Sequence, residues 1–403
     1  MDIKAKFSIP KEYQKDIFLD FLNNEKLKRF NNNQYTILPG FCDVHVHFRE
    51  PGFSYKETIY SGSNAAAHGG YSAVCTMPNL NPVPDSLDNL LVQLDLIKRD
   101  SCINIYPYGS ITIGQKGKEL SNMEEISQYV CAFSDDGFGL QDESIMKKAM
   151  EKAKSLNKLI VAHCEVNSLL KGGYIHEGEY AKRNNHLGIC SASEYEQIDR
   201  DCKLAKLTGA KYHVCHISTK ESVDIIRKAK LDGVDVTCET APHYLIFDET
   251  YLKEDGKWKM NPPLRSIQDR EALIEGLIDG TIDCIATDHA PHSIEEKSKG
   301  LKLSSFGIVG LENAFQVLYT NLVLKNIISI EKLIELLVIN PRKRFNIPMG
   351  NDYSIWDLNK NTIVNPDNFL SKGKVTPFEG MEVVGNIQAM VVNGKICYLN
   401  EDK

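Results

Sequence analysis

No secretory leader is legible in the opening residues, MDIKAKFSIPKEYQKD: no basic start leads into an apolar run and a small-residue cleavage site, so export is not expected. No apolar stretch runs unbroken for the length of a bilayer. The most apolar late segment, NLVLKNIISIEKLIELLVIN, is interrupted by Lys325, Glu331, Lys332 and Glu335 at helical spacing, which predicts an amphipathic helix facing a core rather than a membrane span. A strong excess of one charge is missing too. The net charge of −7 is spread over 403 residues and leaves no basic face for nucleic acid or an anionic membrane. There is no CxxC pair to suggest structural zinc, no internal repeat and no low-complexity tract. With 42% hydrophobic and 25% charged residues, the composition is that of a globular chain able to bury a large core.

The eleven cysteines, without an export signal, read as reduced thiols of a cytoplasmic protein. Cys75, Cys131, Cys164, Cys215, Cys238 and Cys284 fall inside expected strands, where each serves as a small buried hydrophobe. Those strands belong to a regular alternation. Eight short apolar runs, FCDVHVH, SAVCTM, INIYPYG, VCAFSD, LIVAHC, YHVCHI, DVTCET and DCIATD, are separated by segments of helical period such as SLDNLLVQLDLIKRD, ESIMKKAMEKAKSLN and DREALIEGLIDG. Eight strand–helix units predict an α/β fold, a TIM-like β/α barrel over residues 39–345. Residues 346–403 read as a small flanking β domain, with AMVVNG and KICYL forming a hairpin about Asn393-Gly394. Residues 1–38, with one amphipathic stretch (DIFLDFLNNEKLKRF), are expected to join that accessory domain.

In such a barrel the catalytic groups sit at the C-terminal ends of the strands. Here ligand-type residues recur at those ends. Strand one closes on His45 and His47, two apart and therefore on one face. An isolated HxH pair is as readily explained by two satisfied histidines, but strand four ends in Asp135-Asp136, strand five in His163, strand six in His216 and strand eight in Asp288. Carboxylates at apolar strand ends are costly unless paired or metal-bound. Imidazole with carboxylate suits zinc, manganese or cobalt better than calcium or magnesium. Six ligands exceed the three of a single open catalytic zinc, and they match two ions about 3.5–4 Å apart that share a carboxylate and a water. His213, three positions before His216, is expected on the opposite face of its strand, as a core or helix-facing histidine. His243 and His289 are read as partners that orient ligands, and His68, His176 and His186 as packing residues.

The stretches DVHVHFREPG, TMPNLNP, FSDDG, VAHCE, HVCHIS, MNPPLR and TDHAPH followed by FGIVGLE resemble, in order and spacing, the dihydroorotases of the bacterial (class I) type within the amidohydrolase superfamily. The likeness runs over about residues 39–345. It implies a metal-dependent cyclic amide hydrolase holding two divalent ions, zinc favoured: His45, His47 and Asp288 on one, His163 and His216 on the other, and Asp136 bridging, chosen over Asp135 by its spacing to His163. It further implies reversible hydrolysis of (S)-dihydroorotate to N-carbamoyl-L-aspartate by a hydroxide held between the ions, with Asp288 as general base. His47, Arg49, Asn79 and His292 would bind the substrate, the last three through its carboxylate, and Asn261 with the Phe306-Gly307 backbone would bind the ring amides. The guanidinium fork of Arg49 suits a carboxylate on chemical grounds alone. Asn79 and Asn261, both beside proline, are equally readable as turn residues.

Two rival readings stand beside this one. Another cyclic amidohydrolase (a dihydropyrimidinase, hydantoinase or allantoinase) would use the same barrel, but Arg49 with Asn79 favours a carboxylated substrate and Asp136 stands where those enzymes carry a lysine. A metal-free homologue serving as a partner of aspartate transcarbamoylase would be free to lose ligands, and none is lost here. The assemblies the resemblance implies are a homodimer and a complex with aspartate transcarbamoylase. The N-terminal segment is shorter than the usual run of strands that builds half of a flanking sandwich, so the small domain is expected to come mainly from the tail.

Overall fold

The computed structural model describes residues 4–8 and 11–401. Parallel strands Phe41–Val46, Tyr71–Thr76 and Asn104–Pro107 form one arc, and Leu159–Ala162, Lys211–Val214, Val236–Thr240 and Cys284–Ile285 form another. The run VCAFSD departs from the expected strand. It is reduced to a bridge at Phe133, which joins Gly109 on one side to Ile160 on the other. The chain leaves the ladder at once because the Asp135 carboxylate gathers the amides of Ile111 and Thr112, at 2.8 and 3.1 Å, into a turn. A bridge from Val46 to His289 joins the arcs on the far side and closes the barrel.

Cys42, Val44, Ala73, Cys75, Leu159, Val161, Cys215, Cys284 and Ala286 pack together inside the barrel, whereas Val46, Val74, Ile160, Tyr212 and Val214 pack outward on the helices. Helices Leu87–Asp100, Glu143–Ser155, Ala192–Thr208, Lys220–Leu231 and Ile267–Asp279 wrap that outer surface. Gly209 and Gly280 end two of them in left-handed backbone at φ 67° and 82°, where a side chain would be strained. The late apolar segment is not one helix. Asn326, left-handed at φ 58°, turns the chain, and the Ser329 hydroxyl caps a new helix by accepting from the Lys332 amide. Of the six strand cysteines singled out, five are buried and Cys131 is half-buried.

A five-stranded sheet flanks the barrel, in the order Lys6–Phe7, Thr36–Pro39, Tyr353–Ile363, Glu382–Val392, Lys395–Leu399. Two strands come from the N-terminal segment and three from the tail, and Thr36–Pro39 runs across residue 38. Helix Lys11–Asn23 buries Ile17 and Phe21 against Ile37, Tyr353 and Val391. The last two strands turn at Asn393-Gly394, both left-handed (φ 51° and 72°), which matches the twist of a two-residue hairpin.

Candidate metal centre and substrate pocket

The placement of the first two histidines depends on an irregularity. Cys42 and Val44 face the barrel interior, so strict alternation would send Val46 inward and His45 and His47 out to the helices. The register shifts between Asp43 and Val46; beyond the shift Val46 faces outward and the two imidazoles turn into the barrel mouth. Positive φ performs a similar task elsewhere. His216 (φ 29°), Asp288 (φ 48°) and Arg49 (φ 57°) all occupy backbone regions that non-glycine residues rarely adopt, each just past a strand end.

The six residues meet at one rim. His47 Nε2 lies 3.1 Å from Asp288 Oδ1, and His45 Nε2 lies 3.5 Å from the same oxygen. Asp136 faces both sets of histidines: Oδ1 is 3.4 Å from His45 Nε2, 3.5 Å from His216 Nε2 and 3.8 Å from His163 Nδ1, while Oδ2 is 3.4 Å from His47 Nε2. His163 Nδ1 and His216 Nε2 are 3.0 Å apart. Asp135 turns away to its backbone amides, and burial raises its carboxyl to about 6.

The donor set fits divalent cations. His45 Nε2 and Asp136 Oδ1 are buried with no hydrogen-bond partner, an expensive arrangement for both. Ligand atoms of His45, His47 and Asp288 lie within 4.8 Å of one another, as do those of His45, Asp136 and His216. Burial alone would raise the carboxyls of Asp136 and Asp288, yet the surrounding imidazoles hold both below their ordinary range. His45 shows the reverse side of this field. Burial would lower it, but Asp136, Cys215 and Glu239 draw positive charge to it and raise it well above the usual imidazole value.

Each strand-one imidazole is also oriented from behind. Glu239 Oε1 accepts a hydrogen bond from His45 Nδ1–H at 2.6 Å, and Asn79 Oδ1 accepts one from His47 Nδ1–H at 2.9 Å, which leaves both Nε2 atoms for the site. Glu239, at the end of strand seven, is a residue the strand-end reading passed over, although its sequence position, in CET, matches those of the other ligands. Fully buried, it is raised by desolvation but pulled down to about 2 by His45 and His213. His213 therefore departs from the expected outward position: it points into the barrel, 3.1 Å from Glu239 Oε2 and 2.7 Å from Thr237 Oγ1. His216 lies beyond the strand at positive φ, where face and sequence parity no longer correspond, so alternation from it does not reach His213. His289 faces Glu57 at 3.4 Å and His243 Nε2 has no partner, so the orienting role belongs to Glu239 and Asn79 instead.

Beside the rim lies a cavity of about 230 Å³, lined by His47, Arg49, Asn79, Asp136, His163, His216, Asn261, Asp288, His292, Phe306 and Gly307. It is below the ~300–1,000 Å³ of sites for drug-sized ligands, which suits a small ring. Arg49 is 8% exposed, and among the described residues no carboxylate lies within 4.0 Å of it. Its Nε donates to the Pro291 carbonyl at 3.3 Å and an Nη lies 3.4 Å from His292 Nε2. Asn79, having spent its oxygen on His47, presents its amide N–H to the cavity. Asn261 donates to Glu165 Oε1 at 2.8 Å. The Gly307 amide is given to the Lys259 carbonyl at 3.1 Å, so that N–H is not available to a bound ring. A Cβ at Gly307 would sit 2.7 Å from the Ala290 carbonyl oxygen at φ 126°, so no larger residue fits there.

A family model described as dihydro-orotase-like matches residues 35–222. A dihydroorotase of Fusobacterium nucleatum is 52% identical over 375 residues, 91% of this chain and 88% of the relative. One from Bacillus subtilis is 48% identical over 389 residues, 94% of this chain and 90% of the relative. Among solved structures, the L-hydantoinase (dihydropyrimidinase) of Arthrobacter aurescens superimposes with a TM-score of 0.81 at 25% identity, over 91% of this chain and 86% of that one. The barrel and its flanking sheet are thus an amidohydrolase architecture, and the far higher identity to the curated relatives places the chain more narrowly: it belongs to the dihydroorotase family.

Proposed function

We propose that this chain catalyses the reversible hydrolysis of (S)-dihydroorotate to N-carbamoyl-L-aspartate, a reaction of de novo pyrimidine (UMP) biosynthesis. The observation that carries the reading is Arg49: a guanidinium buried in the cavity wall, with no carboxylate within 4.0 Å among the described residues, is matched by a substrate that brings one. Its eleven cysteines stand unpaired, which suits a reducing cytoplasm.

In this reading His45, His47 and Asp288 would hold one divalent ion and His163 and His216 a second, with Asp136 as a ligand common to both sets; zinc suits the donors. Cations bound there would supply an acidified water and polarise an amide carbonyl. Asp288 takes the proton of the attacking water and delivers it to the ring nitrogen as the C–N bond breaks. Arg49, the Asn79 amide and His292 clamp the carboxylate, while Asn261 and the Phe306-Gly307 backbone hold the ring amides and present one face of the carbonyl carbon to the water. In the reverse direction, Asp288 returns the proton as water leaves.

The test is a side-by-side assay of dihydroorotate, dihydrouracil, hydantoin and allantoin. Dihydroorotate should have the highest kcat/KM, and a clear preference for an uncharged ureide would overturn the assignment. Purified protein should contain two ions per chain; stripping them with a chelator should abolish turnover and zinc should restore it, whereas full activity with one ion would remove the binuclear arrangement. Replacing Glu239 by Gln leaves His45 without its anionic acceptor, and zinc affinity measured by competition with a chromophoric chelator should fall about 10–100-fold.

A further inference from the structure

His292 stands at the carboxylate end of the cavity, and both of its ring nitrogens face strong donors. Nε2 is 3.4 Å from Arg49, and Nδ1 is 3.2 Å from Lys56 Nζ and 3.2 Å from Glu296 Oε2. Burial first, then the charges of Arg49 and Lys56, push the imidazole down to about 3, so at neutral pH the ring is uncharged and carries a single N–H. Which nitrogen carries it decides what the pocket can bind. With the proton on Nδ1, the ring donates to Glu296 and turns a lone pair toward Arg49, which repels an incoming carboxylate. With the proton on Nε2, Arg49 and His292 present two donors to the same point, and an oxygen acceptor placed between them satisfies both, a carboxylate oxygen most strongly.

The surroundings of Nδ1 favour the second arrangement. Glu296 does not need the histidine proton, since it already accepts from Lys56 at 2.9 Å, the Tyr55 hydroxyl at 3.2 Å and the Ser293 amide at 3.1 Å. Lys56 can only donate, so its approach to Nδ1 requires a lone pair there; Arg49 makes the same demand on Nε2, and a bound carboxylate relieves it by accepting from both groups. We propose that Lys56, on the loop after strand one, is a positioning residue that fixes the His292 tautomer, so that Nε2–H becomes a donor to the substrate carboxylate beside Arg49. Glu296 holds the Lys56 ammonium in place from the loop after strand eight. The proposal rests on the dihydroorotase reading, because it is the carboxylate of that substrate that the two donors share.

The experiment compares wild-type, Lys56→Met and Lys56→Arg proteins, metal-loaded, by steady-state kinetics in both directions and by ¹⁵N NMR of histidine-labelled protein with N-carbamoyl-L-aspartate bound. Loss of one donor to the carboxylate should raise KM of Lys56→Met about tenfold, with kcat changed far less. The His292 resonances should move from the Nε2–H to the Nδ1–H pattern, and Lys56→Arg should recover both. A normal KM with an unchanged tautomer in Lys56→Met overturns the proposal. Wild-type protein that does not turn over dihydroorotate overturns the underlying reading as well, and does so before any substitution is made.

Discussion

Asp288→Asn is expected to lower dihydroorotate turnover by about 10³-fold or more in both directions, since it removes a proton carrier and an anionic ligand together. Asparagine keeps the size of the side chain and tolerates the left-handed backbone at this position (φ 48°), so the barrel should survive the change. What it cannot do is accept a proton. In the native arrangement Asp288 Oδ1 faces His47 at 3.1 Å and His45 at 3.5 Å, and those imidazoles keep the carboxylate ionised. Steady-state rates with ion content measured on the same samples separate the two roles: two retained ions with lost turnover mark the base, and near-normal rates would remove Asp288 from that role.

The barrel was legible because its determinants are local. A run such as LIVAHC between two segments of helical period can be read as a strand before any contact is known, and a parallel sheet must place its ligand residues at one end. VCAFSD has the same composition but pairs only at Phe133, because the Asp135 turn, built on amides more than twenty residues upstream, pulls the chain out of the ladder. The long apolar segment failed as a single helix for a different reason. Its helical period continues through Asn326, but the backbone there is left-handed, and side-chain periodicity carries no information about φ.

The candidate ligands could be nominated because each falls at or just past the end of an expected strand, but facing could not be deduced from parity alone. His45 and His47 reach the interior through a register shift, and His213 was placed outside by counting across the strand end. Glu239 was missed although it ends strand seven, since its partners, His45 and His213, lie 194 and 26 residues away and become neighbours only when the barrel closes. The same is true of Lys56 and Glu296, which bring two active-site loops together from 240 residues apart.

Arg49→Met should separate substrate recognition from the chemistry. The guanidinium is buried, hydrogen-bonded to the Pro291 carbonyl and near His292, and faces a cavity that also contains the proposed metal ligands. Methionine retains much of the apolar stem and removes the charge-assisted hydrogen bonds to a bound carboxylate. Losing them should cost about 3 kcal/mol, which is about a hundredfold in kcat/KM for dihydroorotate and for N-carbamoyl-L-aspartate. Dihydrouracil, the same ring without the carboxylate, gains nothing from that contact, so the preference for dihydroorotate over dihydrouracil should collapse by a similar factor while the ion content stays at the wild-type value. An equal loss on both substrates would show that Arg49 supports the fold of the strand-one loop rather than the carboxylate, and the argument for a carboxylated ring would then fall with it.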